Sequence, residues 1–392
     1  MRIGIDVSQT GRDKAGCGYL ADSTTRQLIA DYPADEWLLY PHFGEHVWDA
    51  DWATSTVFFD RPNVSRGPTF PDHGAAQYFW SNPPLDLDAA LGEPDLVHAH
   101  NFFCPTTLRR ARLVYTLYDL AFLENPEWTT EANRLYCFEG CFQASLHADL
   151  IVSISDFSRD HFLSTFPHYP ADRVTTVHLA SRFDADSVVE RPQRLSSLAP
   201  DGFWLAVGTI EPRKNYIGLV KAYAEACRRH PAMPPLVLVG KEGWLMEKFP
   251  TLLSDLGIAD RIHFAGYVSD AELCWLYRHC RAFLYPSFWE GFGLPVLEAL
   301  SQGAAVVTST SSSIPEVVGQ AGIMVEPTDI DGLAAAILAV ETEDDRRAGL
   351  KALAPDQVAK FSWALSARRL RALYDTVMTL PRYRPQLADR AA

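Results

Sequence analysis

The sequence has 392 residues, of which 47% are hydrophobic and 21% are charged, so it can bury large cores and is not a disordered chain. At about 150 residues per domain, this length predicts two or three domains. Asp and Glu outnumber Lys and Arg by 49 to 35, which gives a formal net charge of −14. That charge argues against a protein that binds nucleic acid through a basic face, but it leaves room for a local basic pocket for a phosphorylated small molecule.

The cysteines and the apolar segments indicate a cytosolic protein. The seven cysteines are an odd number and form no CxxC pair, which favours reduced thiols over a disulfide framework or a zinc site. The apolar run at the N-terminus is too short for a signal peptide, and no run of 18 apolar residues occurs. We expect a soluble, intracellular protein and leave open its contact with a membrane surface.

In the first half of the chain, short apolar segments of strand length alternate with longer amphipathic segments. Continuous apolar strands are typical of parallel sheets that are covered on both faces. We predict strands at 3–7, 37–40, 57–59, 96–99, 113–117, 150–154 and 174–177, and helices at 17–31, 129–147 and 156–166.

The alternation stops over residues 186–201, which are predicted to form a linker, and then resumes. The second half is predicted to contain strands at 203–207, 236–239, 261–264, 282–285, 305–308 and 323–325, and helices at 215–229, 245–256, 270–279, 294–301 and 331–340. These two series predict two doubly wound α/β domains, residues 1–190 and 200–360, which bind ligands at the carboxyl ends of their strands. A last helix is predicted at about 361–380.

The strongest motif is the string SFWEGFGLPVLEA at 287–299, which follows a predicted strand and leads into a helix. Gly291 and Gly293 allow the backbone to approach a ligand closely. The exposed amides of Phe292, Gly293 and Leu294 are therefore predicted to bind an anion or a hydroxyl at the positive end of the helix.

Two carboxylates in this string, Glu290 and Glu298, are candidates for sugar binding. Seven residues separate them, so they are predicted to contact different parts of one extended ligand rather than to act as neighbours on one helix face. Carboxylates only accept hydrogen bonds, which suits the vicinal hydroxyls of a sugar. The alternative is that Glu298 caps the helix and Glu290 is solvated.

A second motif, VGTIEPRKN at 207–215, also lies between a predicted strand and a helix. It places Arg213 and Lys214 where two cations can meet a diphosphate. Lys is a compact charge, and Arg can donate two parallel hydrogen bonds to phosphate oxygens. The alternative is a pair of solvated surface cations.

A third motif is GCGY at 16–19. Together with Ala21, Gly16 and Gly18 match the GxGxxA pattern of dinucleotide-binding proteins, so an NAD-dependent Rossmann oxidoreductase is the main alternative function. However, eight residues separate the first predicted strand from Gly16, whereas a nicotinamide site requires a tight turn. A simple loop hinge is the other alternative for these glycines.

The strings at 287–299 and 207–215 resemble the E-x7-E and EPRKN segments of the retaining glycosyltransferases of family 4. That family has the GT-B fold, in which two Rossmann-like domains face each other across a cleft. The resemblance implies that Glu290 binds the transferred sugar and Glu298 the nucleotide ribose. It also implies that Arg213, Lys214 and the amides near residue 293 hold the leaving diphosphate. The loop at 266–268, with Tyr267 and Val268, then lies against the base.

The resemblance extends to the first half of the chain. It implies that Gly16 and Gly18 belong to a glycine-rich loop that reaches the donor phosphates and the acceptor. In the family a histidine that contacts the transferred sugar follows the strand predicted at 113–117, but this chain has Tyr118 there. The family's histidine contact therefore does not carry over, and Tyr118 and His100 are the two candidates to replace it. Asp119 matches its family position and, with Glu290, Arg213 and Lys214, is assigned to the catalytic set.

The resemblance, which is closest to bacterial mannosyl- and rhamnosyltransferases of O-antigen or exopolysaccharide assembly, implies transfer of a hexose with retention of configuration. We expect a nucleotide-sugar cosubstrate, with a GDP-mannose type favoured over a UDP-sugar, and no other cofactor. The expected acceptor is a saccharide or lipid-linked saccharide, and the expected location is the cytoplasm or the cytoplasmic face of the inner membrane. A GT-B sugar-nucleotide epimerase remains an alternative.

The D-x-D strings at 49–51, 86–88 and 184–186 raise the possibility of a metal site, because such pairs hold a divalent ion in another glycosyltransferase architecture. None of them closely follows a predicted strand in a matching context. Arg213 and Lys214 would also make the ion unnecessary. We therefore expect no metal.

Overall fold

The computed structural model describes residues 1–12, 14, 16–45, 61–100, 102–241 and 249–385. It divides into two compact units, Met1–Leu179 together with the segment from Ser362 onward, and Ala180–Phe361. The division therefore falls before the segment 186–201, which the sequence suggests as a linker. That segment packs on the second unit, where the Arg191 guanidinium donates to the carbonyl oxygen of Ser196 at 2.7 Å and lies 5.4 Å from the centroid of the Trp275 ring.

The described part of the first unit contains a seven-stranded parallel sheet with the order β3-β2-β1-β4-β5-β6-β7. Its strands are β1 (Arg2–Asp6), β2 (Glu36–Tyr40), β3 (Val64–Arg66), β4 (Leu96–Ala99), β5 (Arg112–Leu117), β6 (Leu150–Ser153) and β7 (Val174–Thr176). Successive strands are added on one side of β1 up to β3 and on its other side from β4 onward. The point between β1 and β4 is the switch point at which doubly wound sheets bind ligands. The strand predicted at 57–59 lies outside the described residues.

Six helices belong to the first part of this unit, namely α1 (Gly16–Asp31), α2 (His73–Ser81), α3 (Leu87–Ala90), α4 (Ala121–Glu124), α5 (Glu131–His147) and α6 (Asp156–Thr165), counted within the described residues. The helices α1, α5 and α6 match the prediction. The helices α2 and α3 were not predicted, although the side chains of Asp72 and Asp86 cap them by accepting from backbone amides.

The second unit contains a six-stranded parallel sheet in its described residues, with the order β10-β9-β8-β11-β12-β13. Its strands are β8 (Trp204–Val207), β9 (Leu236–Val239), β10 (Ile262–Gly266), β11 (Phe283–Tyr285), β12 (Val306–Ser309) and β13 (Gly322–Val325). All six overlap predicted strands. Because β8, β9 and β11 are neighbours, the loops that follow them lie along one edge of the sheet.

The helices of the second unit are α7 (Tyr216–Arg229), α8 (Phe249–Asp255), α9 (Asp270–His279), α10 (Leu294–Ser301), α11 (Ile314–Val318), α12 (Ile330–Thr342) and α13 (Asp344–Val358). Residues 245–248 of the helix predicted at 245–256 lie outside the described residues. One apolar face of the sheet, which includes Trp204, Leu236 and Leu284, forms a buried core with residues of α7 and α12.

The C-terminal helix α14 (Trp363–Thr379) lies close to the predicted bounds and packs on the first unit. It lies against α1 and buries Leu370, Tyr374 and Val377 in the core of that unit. Arg371 pairs with the carboxylate of Asp35 at 2.6 Å. Among the helices of the described residues, none combines the length and the apolar composition that crossing a bilayer requires.

Candidate functional site

A buried ionic cluster lies at the carboxyl edge of the second sheet, between the loop after β8 and the loop after β11. The Nζ of Lys214 donates to Oε1 of Glu290 at 2.6 Å, and Nη1 of Arg213 donates to Oε2 of the same carboxylate at 3.1 Å. The side chains of Glu290 and Lys214 are only 7% and 12% exposed. The structure thus brings together three of the four side chains that the sequence assigns to catalysis.

The charges in this cluster determine the protonation state of Glu290. Burial by itself raises the pKa of this carboxyl, but the positive charges of Lys214 and Arg213 outweigh that effect and lower the pKa to about 2. Burial also lowers the pKa of Lys214, an effect that the Glu290 charge opposes. Glu290 is therefore a carboxylate at neutral pH and can only accept hydrogen bonds.

Further contacts hold both cations in place. Nη2 of Arg213 donates to Oε1 of Glu211 at 2.8 Å, and its Nη1 donates to the carbonyl oxygen of Trp289 at 2.8 Å. Nζ of Lys214 donates to the Tyr285 hydroxyl at 2.6 Å. Two cations thus face two carboxylates, so this cluster is neutral in the absence of a ligand. Sequence reasoning missed Glu211, although it stands two residues before Arg213 in the quoted string.

Asn215 ties the two loops of the cluster together. It has a left-handed backbone conformation with φ of 57°, and its side-chain oxygen accepts from the amide of Gly218 to cap α7. Its side-chain amide donates to the carbonyl oxygens of Pro286 at 3.0 Å and Pro327 at 2.8 Å. One residue therefore starts the helix and fixes the loop that leads to Glu290.

Glycines line the same edge of the sheet at the ends of β8, β9 and β10. Gly208, Gly240 and Gly266 all have positive φ values. A Cβ atom on Gly240 would lie 2.0 Å from the carbonyl oxygen of Gly208, so a side chain does not fit there. The edge thus exposes closely spaced backbone rather than side chains, which suits binding of a ligand to the backbone.

The predicted base loop follows β10. The Tyr267 side chain is 62% exposed, whereas Val268 is buried. The guanidinium of Arg194 donates to the carbonyl oxygen of Tyr267. Arg194 lies in the segment that the sequence suggests as a linker, and sequence reasoning did not connect it with this loop.

The loop that contains Glu290 is held from both sides. The Glu290 amide donates to the Ser312 hydroxyl at 2.8 Å, and the Ser313 hydroxyl donates to the Glu290 carbonyl at 2.9 Å. Gly293 is the cap residue immediately before α10 and has a φ of 101°, and a Cβ atom there would lie 2.7 Å from Ile314. Phe292 is buried, and Leu294 is the first residue of the helix.

Glu298 lies in different surroundings from Glu290. Its carboxylate accepts from Nε of Arg182 at 2.5 Å, from Nη2 of Arg182 at 3.2 Å and from the Tyr277 hydroxyl at 3.2 Å. Its side chain is 3% exposed. Within the described residues, these contacts do not connect Glu298 to the Arg213–Lys214–Glu290 cluster, and its assignment to the ribose stays a prediction.

The first unit holds the other predicted site residues. Gly16 and Gly18 form the first turn of α1 rather than a loop before it, and a Cβ atom on Gly18 would lie 2.1 Å from the carbonyl oxygen of Gln9. Nine residues separate β1 from Gly16, so the GxGxxA pattern does not form the tight strand-to-helix turn of a dinucleotide site.

The ends of β4 and β5 hold His100, Tyr118 and Asp119. The buried His100 donates its backbone amide to Oδ2 of Asp6 at 3.1 Å. The Tyr118 hydroxyl donates to the carbonyl oxygen of Cys17 at 3.5 Å. Asp119 accepts from the amide of Ala121, the first residue of α4, at 2.8 Å. His100 and Tyr118 therefore share an edge of the sheet, whereas the hydrogen bond of Asp119 is local.

The aspartates of two D-x-D strings accept hydrogen bonds from backbone amides. Asp86 accepts from the amide of Ala89, Asp88 accepts from the amide of Ala111, and Asp184 accepts from the amide of Asp186. The string at 49–51 lies outside the described residues. These contacts of Asp86 and Asp184 are those of caps and turns, whereas Asp88 ties its loop to the residues that precede β5.

The fold is shared with solved glycosyltransferase structures. Anabaena Alr3699/HepE in complex with UDP-glucose matches with a TM-score of 0.72 over 96% of this chain and 100% of that chain, at 17% identity. WaaG, a glycosyltransferase involved in lipopolysaccharide biosynthesis, matches with a TM-score of 0.68 over 95% of this chain and 99% of that chain, at 16% identity. Together with the two parallel sheets, these matches confirm the predicted GT-B class of fold.

Sequence relatives identify the family. Residues 191–356 match the family model of glycosyl transferases group 1, and residues 42–180 match that of glycosyltransferase family 4. The O-antigen chain mannosyltransferase B of Escherichia coli is 38% identical over 274 residues, which are 68% of this chain and 71% of that protein. The serotype-specific mannosyltransferase WbdA of Escherichia coli is 34% identical over 72% of this chain, but the match spans only 37% of its length.

The chain belongs to glycosyltransferase family 4, and it is a glycosyltransferase. This finding confirms the family and the enzyme class that the motifs at 207–215 and 287–299 predicted. It decides against the NAD-dependent oxidoreductase, in agreement with the position of Gly16 and Gly18 inside α1.

Proposed function

We propose that the enzyme transfers a hexose, mannose or a related sugar, from a nucleoside diphosphate donor to a saccharide or lipid-linked saccharide, with retention of configuration at C1. The observation that carries this proposal is the buried pair of Arg213 and Lys214 on the Glu290 carboxylate. The pair lies at the carboxyl edge of a parallel sheet, in the part of the chain that matches the glycosyl transferases group 1.

The proposed mechanism depends on the charge of the leaving group. Negative charge grows on the diphosphate as its bond to C1 breaks, and fixed cations in a buried site stabilise that charge strongly. Arg213 can donate two parallel hydrogen bonds to phosphate oxygens, and Lys214 supplies a compact charge. In this proposal the two cations make a metal ion unnecessary.

Glu290 has two states in this mechanism. Without donor, its carboxylate neutralises Lys214 and Arg213. When the diphosphate takes over those cations, the carboxylate is free to accept hydrogen bonds from sugar hydroxyls. The acceptor oxygen then bonds to C1 from the side that the phosphate leaves, and the hydroxyl proton moves to the departing phosphate oxygen. No side chain is needed as a general base.

The donor is proposed to be of the GDP-mannose type. Two relatives in Escherichia coli are named as mannosyltransferases, which supports mannose. The structural neighbour from Anabaena was solved with UDP-glucose, which keeps a UDP-sugar as the second candidate. A lipid-linked acceptor would lie at a membrane surface, so the proposal places the enzyme in the cytoplasm, with peripheral contact to the cytoplasmic face of the inner membrane.

The test is a donor panel with the purified full chain, in which GDP-mannose, UDP-glucose and UDP-galactose are each incubated with mannose oligosaccharides. We expect acceptor-dependent release of GDP and a product whose anomeric configuration, read by proton NMR, is that of the donor. A product of inverted configuration would contradict the mechanism. Conversion of a nucleotide sugar at full rate in the absence of an acceptor would favour the epimerase. If the enzyme used the UDP-sugars but not GDP-mannose, the base of the donor would be uracil rather than guanine.

A further inference from the structure

A chain of buried hydrogen bonds connects α14 to the carboxyl end of β4 in the first unit. The Tyr374 hydroxyl lies 2.6 Å from Nδ1 of His98, and Nε2 of His98 lies 2.8 Å from Oγ1 of Thr116. The same Oγ1 lies 3.1 Å from Nδ1 of His100. All four residues are at most 2% exposed. Tyr374 is thus linked to His100 through two side chains of adjacent strands.

Each hydroxyl group and each neutral imidazole ring in this series of hydrogen bonds carries one proton. The direction of one hydrogen bond therefore determines the direction of the others. Within the described residues, His98 is the one hydrogen-bond partner of the Tyr374 hydroxyl. A buried phenol proton without an acceptor costs about 1–3 kcal/mol. The Tyr374 hydroxyl therefore donates to Nδ1 of His98, and the ring proton of His98 lies on Nε2.

The donor-to-acceptor order from Tyr374 to His98 also determines which ring nitrogen of His100 carries the proton. Nε2–H of His98 donates to the Thr116 oxygen. Within the described residues, Nδ1 of His100 is the remaining acceptor for the Thr116 hydroxyl proton, so the hydroxyl donates to that atom. Burial lowers the pKa of His100 to about 3 and that of His98 well below its usual range, so both rings are neutral. The single ring proton of His100 is therefore on Nε2.

His100 lies where a doubly wound sheet binds its ligands. It follows β4, and its amide donates to Asp6 at the end of β1, so it sits at the switch point between these two strands. In the described part of the chain, no protein group is bonded to its Nε2. The neighbouring Tyr118, which stands where the family has a histidine, directs its hydroxyl to the backbone of Cys17.

We propose that Tyr374 is a positioning residue that fixes His100 as the Nε2–H tautomer, so that His100 donates a hydrogen bond to a hydroxyl of the saccharide substrate. The substrate part of this inference rests on the proposed function. The tautomer part rests only on the hydrogen bonds of the first unit. A residue on the C-terminal helix, more than 270 positions away in sequence, thereby determines whether the ring is a donor or an acceptor.

The test is NMR spectroscopy of the full chain labelled with ¹⁵N in its histidine rings, with the His100 signals assigned by a His100→Gln variant. In the wild type we expect a neutral His100 ring with the proton on Nε2. Tyr374→Phe removes the donor that orients His98. The hydrogen bonds from His98 to His100 can then run in either direction, and an Nδ1–H form of His100 appears. If that variant does not fold, Thr116→Val cuts the link beside His100 and gives the same readout.

Tyr115→Phe is the matched control, because it removes a buried hydroxyl on β5 that lies 3.8 Å from the Cys141 sulfur and has no part in the chain. It should leave the His100 signals unchanged. A wild-type His100 with the proton on Nδ1, a charged ring, or a Tyr374→Phe spectrum identical to that of the wild type would overturn the proposal.

The same variants test the substrate contact. We expect Tyr374→Phe to lower kcat/KM for the acceptor saccharide in proportion to the share of His100 in the Nδ1–H form, about twofold for equal populations, while GDP affinity stays constant. A full transfer rate in a variant whose tautomer has changed would overturn the donor role of His100. If the wild type transferred no sugar from any donor, the proposed function would fail, but the tautomer result would still be decided by NMR.

Discussion

Replacing Glu290 by Gln separates its two proposed states, because Gln keeps the shape of the side chain and removes its charge. In the unliganded protein the carboxylate is bound by Lys214 and Arg213, so a diphosphate has to displace it. The variant has no such competitor. We therefore expect Glu290→Gln to bind GDP more tightly than the wild type, although it transfers sugar more slowly.

The size of the effect follows from the charges. A carboxyl pKa lowered from 4.5 to about 2 corresponds to about 3 kcal/mol of stabilisation of the Glu290 carboxylate. A unit charge about 5 Å from a phosphate oxygen gives a similar energy, about 3 kcal/mol, at an effective dielectric constant of ~20. If removal of the Glu290 charge makes half of this repulsion energy available for GDP binding, the affinity for GDP rises by about tenfold. Transfer should fall by at least about tenfold, since the sugar loses a charged acceptor.

The assay is isothermal titration calorimetry with GDP, combined with measurement of the transfer rate. The matched control is Glu341→Gln, because Glu341 is a similarly buried carboxylate that pairs with Arg281 elsewhere in the same unit, at 2.9 Å. The control should bind GDP as the wild type does. Weaker or unchanged GDP binding by Glu290→Gln would refute the idea that this carboxylate competes with the diphosphate.

Three further predictions concern stability. Gly293→Ala should lower the free energy of unfolding by about 1–3 kcal/mol in urea titrations, because φ is 101° and the new methyl group would meet Ile314, and an unchanged midpoint would contradict the backbone conformation. Arg182→Met should cost about 3–5 kcal/mol by leaving the Glu298 carboxylate buried without its cation, whereas a neutral result would mean that solvent reaches it. Glu290 stabilises the fold above its unfolded pKa of 4.5, and this contribution is lost as the pH falls towards 2, so wild type should lose about 2 kcal/mol more than Glu290→Gln between pH 5 and pH 3. Equal losses in the two proteins would show that its pKa is not lowered.

The sequence predicts those helices and strands that depend on a pattern of neighbouring residues. Apart from β3, the strands of the two sheets are short runs rich in apolar residues. The glycines and the proline of the string at 287–299 indicate a loop followed by a helix. Two of the missed elements lack such a signal, whereas α2 and α3 have a local one in their capping aspartates, Asp72 and Asp86. The strand β3 has only three residues, two of them polar, and α13 is rich in charged residues and contains Pro355.

The contacts that were missed join residues that are distant in sequence. Arg182 pairs with Glu298 across 116 residues, and Tyr374 meets His98 across 276 residues. The residues around Arg182 and Tyr374 form no sequence pattern that predicts these partners. Resemblance to the family identified Glu290 and the two cations, but it could not show that they bind one another in the absence of a ligand.

The proposed mechanism depends most directly on the binding of the diphosphate by Lys214 and Arg213. Titration calorimetry of GDP with the wild type and with Lys214→Met, after thermal unfolding has shown that the variant folds, measures that assignment. We predict that the variant binds GDP at least about tenfold more weakly, because it loses a charged hydrogen bond to phosphate. Equal affinity of the two proteins for GDP would mean that Lys214 does not bind the diphosphate.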